Sequence, residues 1–180
     1  GCPWNNAAKL LHIGIQGKKL NTEKIDPSNL VFLIDVSGSM NRDAGNGSTR
    51  FDIAKQALID TINAYEVQGV TNVNLTLFST QGVNLGWMTS TQALTYLSLL
   101  TMNGNDNILE NGVAISGMSD SWTNYEAAVA VTESGYAGAP VADHTVAYFL
   151  SDGAPTKEYN DATSNSTDVT GSNSQDGVGT

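Results

Sequence analysis

A chain of 180 residues is one domain's worth and long enough to bury a sizeable core. With 40% hydrophobic and only 14% charged residues, it reads as globular and not as disordered. Eight basic against eighteen acidic residues leave a net charge of -10, which argues against nucleic acid and anionic membrane surfaces as partners and makes a cation the more natural companion. No apolar run approaches the roughly 20 residues of a membrane span, so no membrane insertion is expected. The few lysines and the abundance of Asn, Thr, Ser, Gly and Asp suit an extracytoplasmic or cell-surface protein. Cys2 is the single cysteine, so no disulfide can close within this sequence.

In chain order, residues 1–28 form a lead-in in which Leu11, Ile13 and Ile15 alternate with His12 and Gly14, the pattern of a half-buried edge strand. Asp26-Pro27-Ser28 breaks the chain before a run of five large apolar residues, Leu30 to Ile34. That run is too short for a free-standing helix and suits a strand buried on both faces of a parallel sheet. A polar loop over 41–48 leads to Thr49, a helix N-cap with Asp52 three residues on. Phe51, Ala54, Leu58, Ile62 and Tyr65 then mark one apolar helical face. Val73, Leu75 and Leu77 alternate with polar residues, as do Val83, Leu85 and Trp87 across a short link, which predicts an antiparallel hairpin at one sheet edge. A short helix over 93–100, capped near Ser90, precedes an irregular stretch over 101–120 punctuated by Asn and Gly. A further helix is expected over 124–131, directly after Thr123, and a buried strand over 145–150 that ends at Ser151-Asp152. Residues 157–180 are dominated by Asn, Asp, Ser, Thr and Gly without period, and read as a polar loop or disordered tail.

Asp35, Ser37 and Ser39 follow the apolar run at once, where an open α/β sheet collects its ligands beyond the carboxyl ends of the strands. Gly38 between the serines lets the backbone turn tightly enough to bring both hydroxyls to one point. Convergent oxygen donors suit a hard cation such as Mg²⁺ or Mn²⁺ and not zinc. The plain alternative is a polar loop after a strand, since Ser, Gly and Asp are common turn residues.

Asp35-x-Ser37-x-Ser39 after a Val/Leu/Ile strand resembles the metal-ion-dependent adhesion site of von Willebrand factor type A domains. Thr123 in a later loop and Asp152 after a later strand match the two positions that complete this site in the family, in the expected order. The resemblance covers residues 29–156. It implies a doubly wound, Rossmann-like α/β fold: a mainly parallel sheet with one antiparallel edge hairpin and helices on both faces. It also implies that Ser37, Ser39 and Thr123 ligate the ion directly while Asp35 and Asp152 act through water. The ion is Mg²⁺ first, with Mn²⁺ or Ca²⁺ as alternatives, and the implied partner is a protein or peptide that supplies a carboxylate. In the family, further strands and helices follow the Asp152 strand, and this chain is expected to stop short of them. The lead-in Cys2-Pro3-Trp4-Asn5 resembles bacterial envelope proteins, and residues 49–80 with 123–155 resemble domains of large repeat adhesins, so a bacterial surface or envelope location is expected.

Two rival readings compete with this one. An Asp-based phosphotransferase expects a second Asp two residues after the first, where this chain has Ser37, and a serine hydrolase expects Gly-x-Ser-x-Gly with a histidine base. His12 and His144 fall in an edge strand and at the far end of a strand, so no enzyme is expected. A structural or assembly domain stabilised by its metal is the remaining alternative.

Overall fold

The computed structural model describes residues 28–45, 47–67, 69, 72–104, 107–118, 122–153, 155–160 and 165–168. The lead-in strand and Cys2 lie outside the described residues. The chain opens with β1 (Ser28–Asp35), a short 3-10 turn (Gly38–Asn41) and α1 (Arg50–Glu66). β2 (Asn72–Phe78), β3 (Gly82–Thr89) and α2 (Ser90–Leu99) follow. Then come three short strands, β4 (Leu100–Met102), β5 (Ile108–Glu110) and β6 (Val113–Ala114). The last elements are α3 (Tyr125–Tyr136), β7 (His144–Leu150), β8 (Lys157–Asn160) and β9 (Asn165–Asp168).

The main sheet has the order β3-β2-β1-β7. β1 is parallel to both β2 and β7, and β2 and β3 form the expected antiparallel hairpin at one edge. β1 is buried along its whole length. Its alternate residues serve opposite faces, which is why the run is continuously apolar. On one face Leu30, Phe32 and Ile34 join Val73, Leu75 and Leu77 of β2 beneath Phe51, Leu58 and Ile62 of α1 and Ala93 and Leu97 of α2. On the other, Val31 and Leu33 pack with Phe78, Trp87, Tyr125 and Ala128, the last two from α3. Each fully buried side chain of this size contributes about 1.5–3 kcal/mol, so β1 alone anchors both layers.

α1 starts as read: Thr49 Oγ1 accepts from Asp52 N at 3.1 Å, and Thr49 N donates to Asp52 Oδ2 at 3.3 Å. α2 is capped by Thr89, one residue before the expected Ser90, through the same reciprocal arrangement with Gln92. The irregular stretch over 101–120 contains the antiparallel set β4-β5-β6, with Asn111 and Gly112 at positive φ in the β5–β6 turn. Ile108 and Met118 from this stretch are buried in the main core, so it is tied down and not a loose excursion.

Two expectations need correction. The strand ending at Leu150 was read as buried, yet β7 pairs only with β1 among the described residues and exposes alternate positions, including 44% of Phe149. An apolar strand sequence does not reveal whether a second neighbour covers its far edge. Within 157–180, expected to be a polar loop or disordered tail, Lys157–Asn160 and Asn165–Asp168 form the antiparallel pair β8–β9, with Lys157 opposite Asp168 and Asn160 opposite Asn165. Backbone hydrogen bonds hold such a ladder, so it needs no apolar period in the sequence. No helix among the described residues is long and apolar enough to cross a membrane.

Candidate functional site

Parallel pairing of β1 with β7 places Ile34 opposite Leu150, so the residues that follow each strand emerge side by side at the carboxyl end of the sheet. Asp35 is the last residue of β1 and fully buried. Its Oδ1 accepts the backbone N–H of Ser37 at 2.8 Å, and its Oδ2 accepts the Ser151 hydroxyl at 2.6 Å. Burial raises the Asp35 pKa above the ordinary carboxylate value; the hydrogen bonds from Ser151 and Ser37 oppose that, and nearby Asp152 adds to it.

The chain then turns through the 3-10 segment after Ser37, which brings the Ser37 and Ser39 hydroxyl oxygens within 3.1 Å. Ser39 Oγ donates to Asp152 Oδ1 at 2.7 Å. The other carboxylate oxygen of Asp152 pairs with the Arg50 guanidinium. Four of the five residues singled out from the sequence, Asp35, Ser37, Ser39 and Asp152, are thus joined by direct hydrogen bonds or a single intervening bond.

Thr123 enters from a third direction. It is buried, and its backbone is clamped to Thr156, with Thr123 N donating to Thr156 Oγ1 at 3.1 Å and Thr156 N donating to Thr123 O at 2.8 Å. The next residue, Asn124, is the N-cap of α3: its side chain accepts from Ala127 N, and its own N–H donates to Ser79 O at 2.9 Å. This fastens the start of α3 to the end of β2. Thr123 shares with Ser39 the lining of a pocket of about 340 Å³, with Arg42, the exposed Trp122 and Thr156 among its other walls.

Three participants were not singled out from the sequence. Ser151 bridges Asp35 and Tyr125, whose Oη lies 3.0 Å from Ser151 Oγ and also contacts the Gly153 carbonyl. Its position beside Asp152 was a usable signal. Arg50 and Tyr125 gave none, because each meets the site through contacts far apart in sequence.

The donors are all hard oxygens, three hydroxyls and two carboxylates. Among the described residues no three or more His, Cys, Asp or Glu side chains gather as a metal cluster, so the oxygen set here is rich in hydroxyls. His144 lies at the opposite end of the sheet, paired with Ser28, and is exposed.

The description of the von Willebrand factor type A domain matches residues 30–154, the span that runs from β1 through the loop after β7. The chain belongs to that family. A 38-residue stretch of this chain is 53% identical to "Uncharacterized protein YfbK" of Escherichia coli, covering 21% of the present chain and 7% of the relative. Among solved structures it is similar to the vWF domain of the type V pili tip protein Mfa5 from Porphyromonas gingivalis, with a TM-score of 0.53 and 16% identity over 74% of this chain and 40% of that one. It is also similar to the adhesive tip pilin GBS104 of Group B Streptococcus agalactiae, with a TM-score of 0.54 and 15% identity over 79% of this chain and 30% of that one. The chain therefore spans less than half the length of each of these relatives. At these identities the structural likeness establishes the fold.

Proposed function

We propose that this type A domain is an adhesion or assembly module of a bacterial surface protein, and that it recognises a carboxylate on a protein or peptide partner through a divalent cation. The observation that carries the reading is the file of oxygens Asp35, Ser37, Ser39 and Asp152, linked at 2.6–3.1 Å through Ser37 N and Ser151 and opening beside the pocket lined by Thr123. The type V pili tip protein and the adhesive tip pilin to which the chain is similar support the surface setting.

The donor set fits Mg²⁺, which takes oxygen ligands in near-octahedral geometry and readily keeps several waters; Mn²⁺ and Ca²⁺ are alternatives. Ser37, Ser39 and Thr123 would hold it by their hydroxyls. Asp35 and Asp152 would orient those hydroxyls and accept from the remaining waters. A cation held mainly by neutral hydroxyls keeps much of its charge and attracts an anionic oxygen at an open position. The chain's own contribution is to fix these groups on three separate segments, those that follow β1, precede α3 and follow β7. Its backbone clamps, Ser37 N to Asp35 and Thr156 to Thr123, hold them there.

The test is calorimetric titration of Mg²⁺ and Mn²⁺ into the domain and into a Ser37→Ala, Ser39→Ala variant, both checked by circular dichroism. Binding by the parent that disappears in a folded variant is expected. The parent should also melt higher with the cation, since a ligand at a hundred times its Kd adds about 2.7 kcal/mol. A folded parent that binds neither ion would overturn the reading.

A further inference from the structure

We infer that Arg50 sets the cation affinity of this site, because its guanidinium occupies the Asp152 carboxylate that a bound cation needs. The inference rests on the cation-binding reading above and concerns how that binding is regulated.

Arg50 is the first residue of α1, directly after its cap. Reciprocal hydrogen bonds between Thr49 and Asp52 fix the start of the helix. Arg50 N donates to Arg42 O at 3.0 Å, and Asp43 bridges Thr49, so the loop that leaves the Ser39 turn is drawn closed at the root of Arg50. The backbone of Arg50 is thereby held in place, and its side chain reaches back to Asp152, 102 residues later in the chain. The Asp152 side chain is 11% exposed, so its charge needs a partner, and the arginine supplies one.

Both carboxylate oxygens of Asp152 are engaged, one by Ser39 Oγ and the other by Arg50 Nη1. A divalent cation that draws on Asp152 must share the carboxylate with a like charge or displace the guanidinium, and either opposes binding. Displacement has room: a second pocket of about 280 Å³, lined by Arg50 and Asp152 together with Met40, Ile53 and Phe149, opens on the α1 side. Arg50 side-chain exposure of 40% leaves the released guanidinium free to be solvated there.

Arg50→Met keeps an apolar stem and removes the charge. It is expected to bind Mg²⁺ roughly three- to ten-fold more tightly than the parent in calorimetric titration, the scale of one partly exposed charge contact. Arg50→Lys, which restores the charge, should return the affinity toward the parent value. In chelator, Arg50→Met should melt below the parent, with the deficit narrowed by saturating Mg²⁺. Equal or weaker Mg²⁺ binding by a folded Arg50→Met would overturn the inference and leave the cation site standing. Absence of binding by both proteins would overturn the cation site itself, and the inference with it.

Discussion

The approach of α3 to β3 is set by a missing side chain at Gly82, and adding one should be felt throughout the domain. A Cβ built at Gly82 would lie 2.6 Å from Val131 Cγ2 and 2.7 Å from the backbone carbonyl oxygen of Ala127. Val131 is β-branched and held to one helical rotamer, and a carbonyl within a helix moves only with the helix. Restoring ordinary contact at Ala127 requires α3 to retreat by roughly 0.7 Å, which breaks close packing along the β2–β3 face. Overpacking of this kind costs about 1–3 kcal/mol. With a slope of about 2 kcal/mol per molar, Gly82→Ala should lower the urea midpoint by roughly 0.5–1.5 M. Equilibrium unfolding followed by circular dichroism reads this directly. Gly104→Ala is the control, since a Cβ there meets nothing within 4 Å and its backbone lies outside the left-handed region. A Gly82→Ala midpoint indistinguishable from the parent would refute the argument that α3 is seated by this contact. Because Asn124, the N-cap of α3, adjoins Thr123, the same variant should also weaken the Mg²⁺ binding proposed above.

Two further outcomes are expected. In chelator, Asp35 has a folded pKa raised by burial, so the folded state holds its proton more tightly than the unfolded chain. Its contribution to stability therefore falls as pH rises from the ordinary carboxylate value of 3.8 through the raised one, and Asp35→Asn should give a flatter stability profile over that rise. Asp52, lowered chiefly by its hydrogen bond with Thr49, acts in the opposite sense: its contribution is lost as pH falls below 3.8. Identical slopes for parent and Asp35→Asn across that window would contradict the assignment. Ser79 Oγ is buried with no hydrogen-bond partner among the described residues, so Ser79→Ala should stabilise the domain by up to about 1 kcal/mol in thermal or urea unfolding. A loss of that size instead would mean that the hydroxyl has a role.

What could be read from the sequence was what local chemistry dictates. The apolar run of β1, the Thr49–Asp52 cap and the period-2 pairs of β2 and β3 each leave their mark within a few residues. The placement of Asp35 and Asp152 at strand ends and of Thr123 before a helix was legible, because each follows from the local pattern of its neighbours. Arg50 was not, because an arginine opening a helix looks like any exposed helix residue until β7 brings Asp152 to it. The half-exposed state of β7 escaped for a related reason: Thr145 to Leu150 is apolar enough for a central strand, and its neighbours are decided elsewhere in the chain. The Asn111-Gly112 pair did carry a local hairpin signal in the stretch otherwise read as irregular.

The bond from Ser39 to Asp152 spans 113 residues and that from Ser151 to Asp35 spans 116. During synthesis the first half of the site leaves the ribosome long before the second half exists. Parallel pairing of β7 with β1 is a non-local step, whose loop-closure cost must be met before its contacts repay it. Asp35 therefore passes through early folding without Ser151, and the oxygen cluster is completed only when β7 pairs with β1.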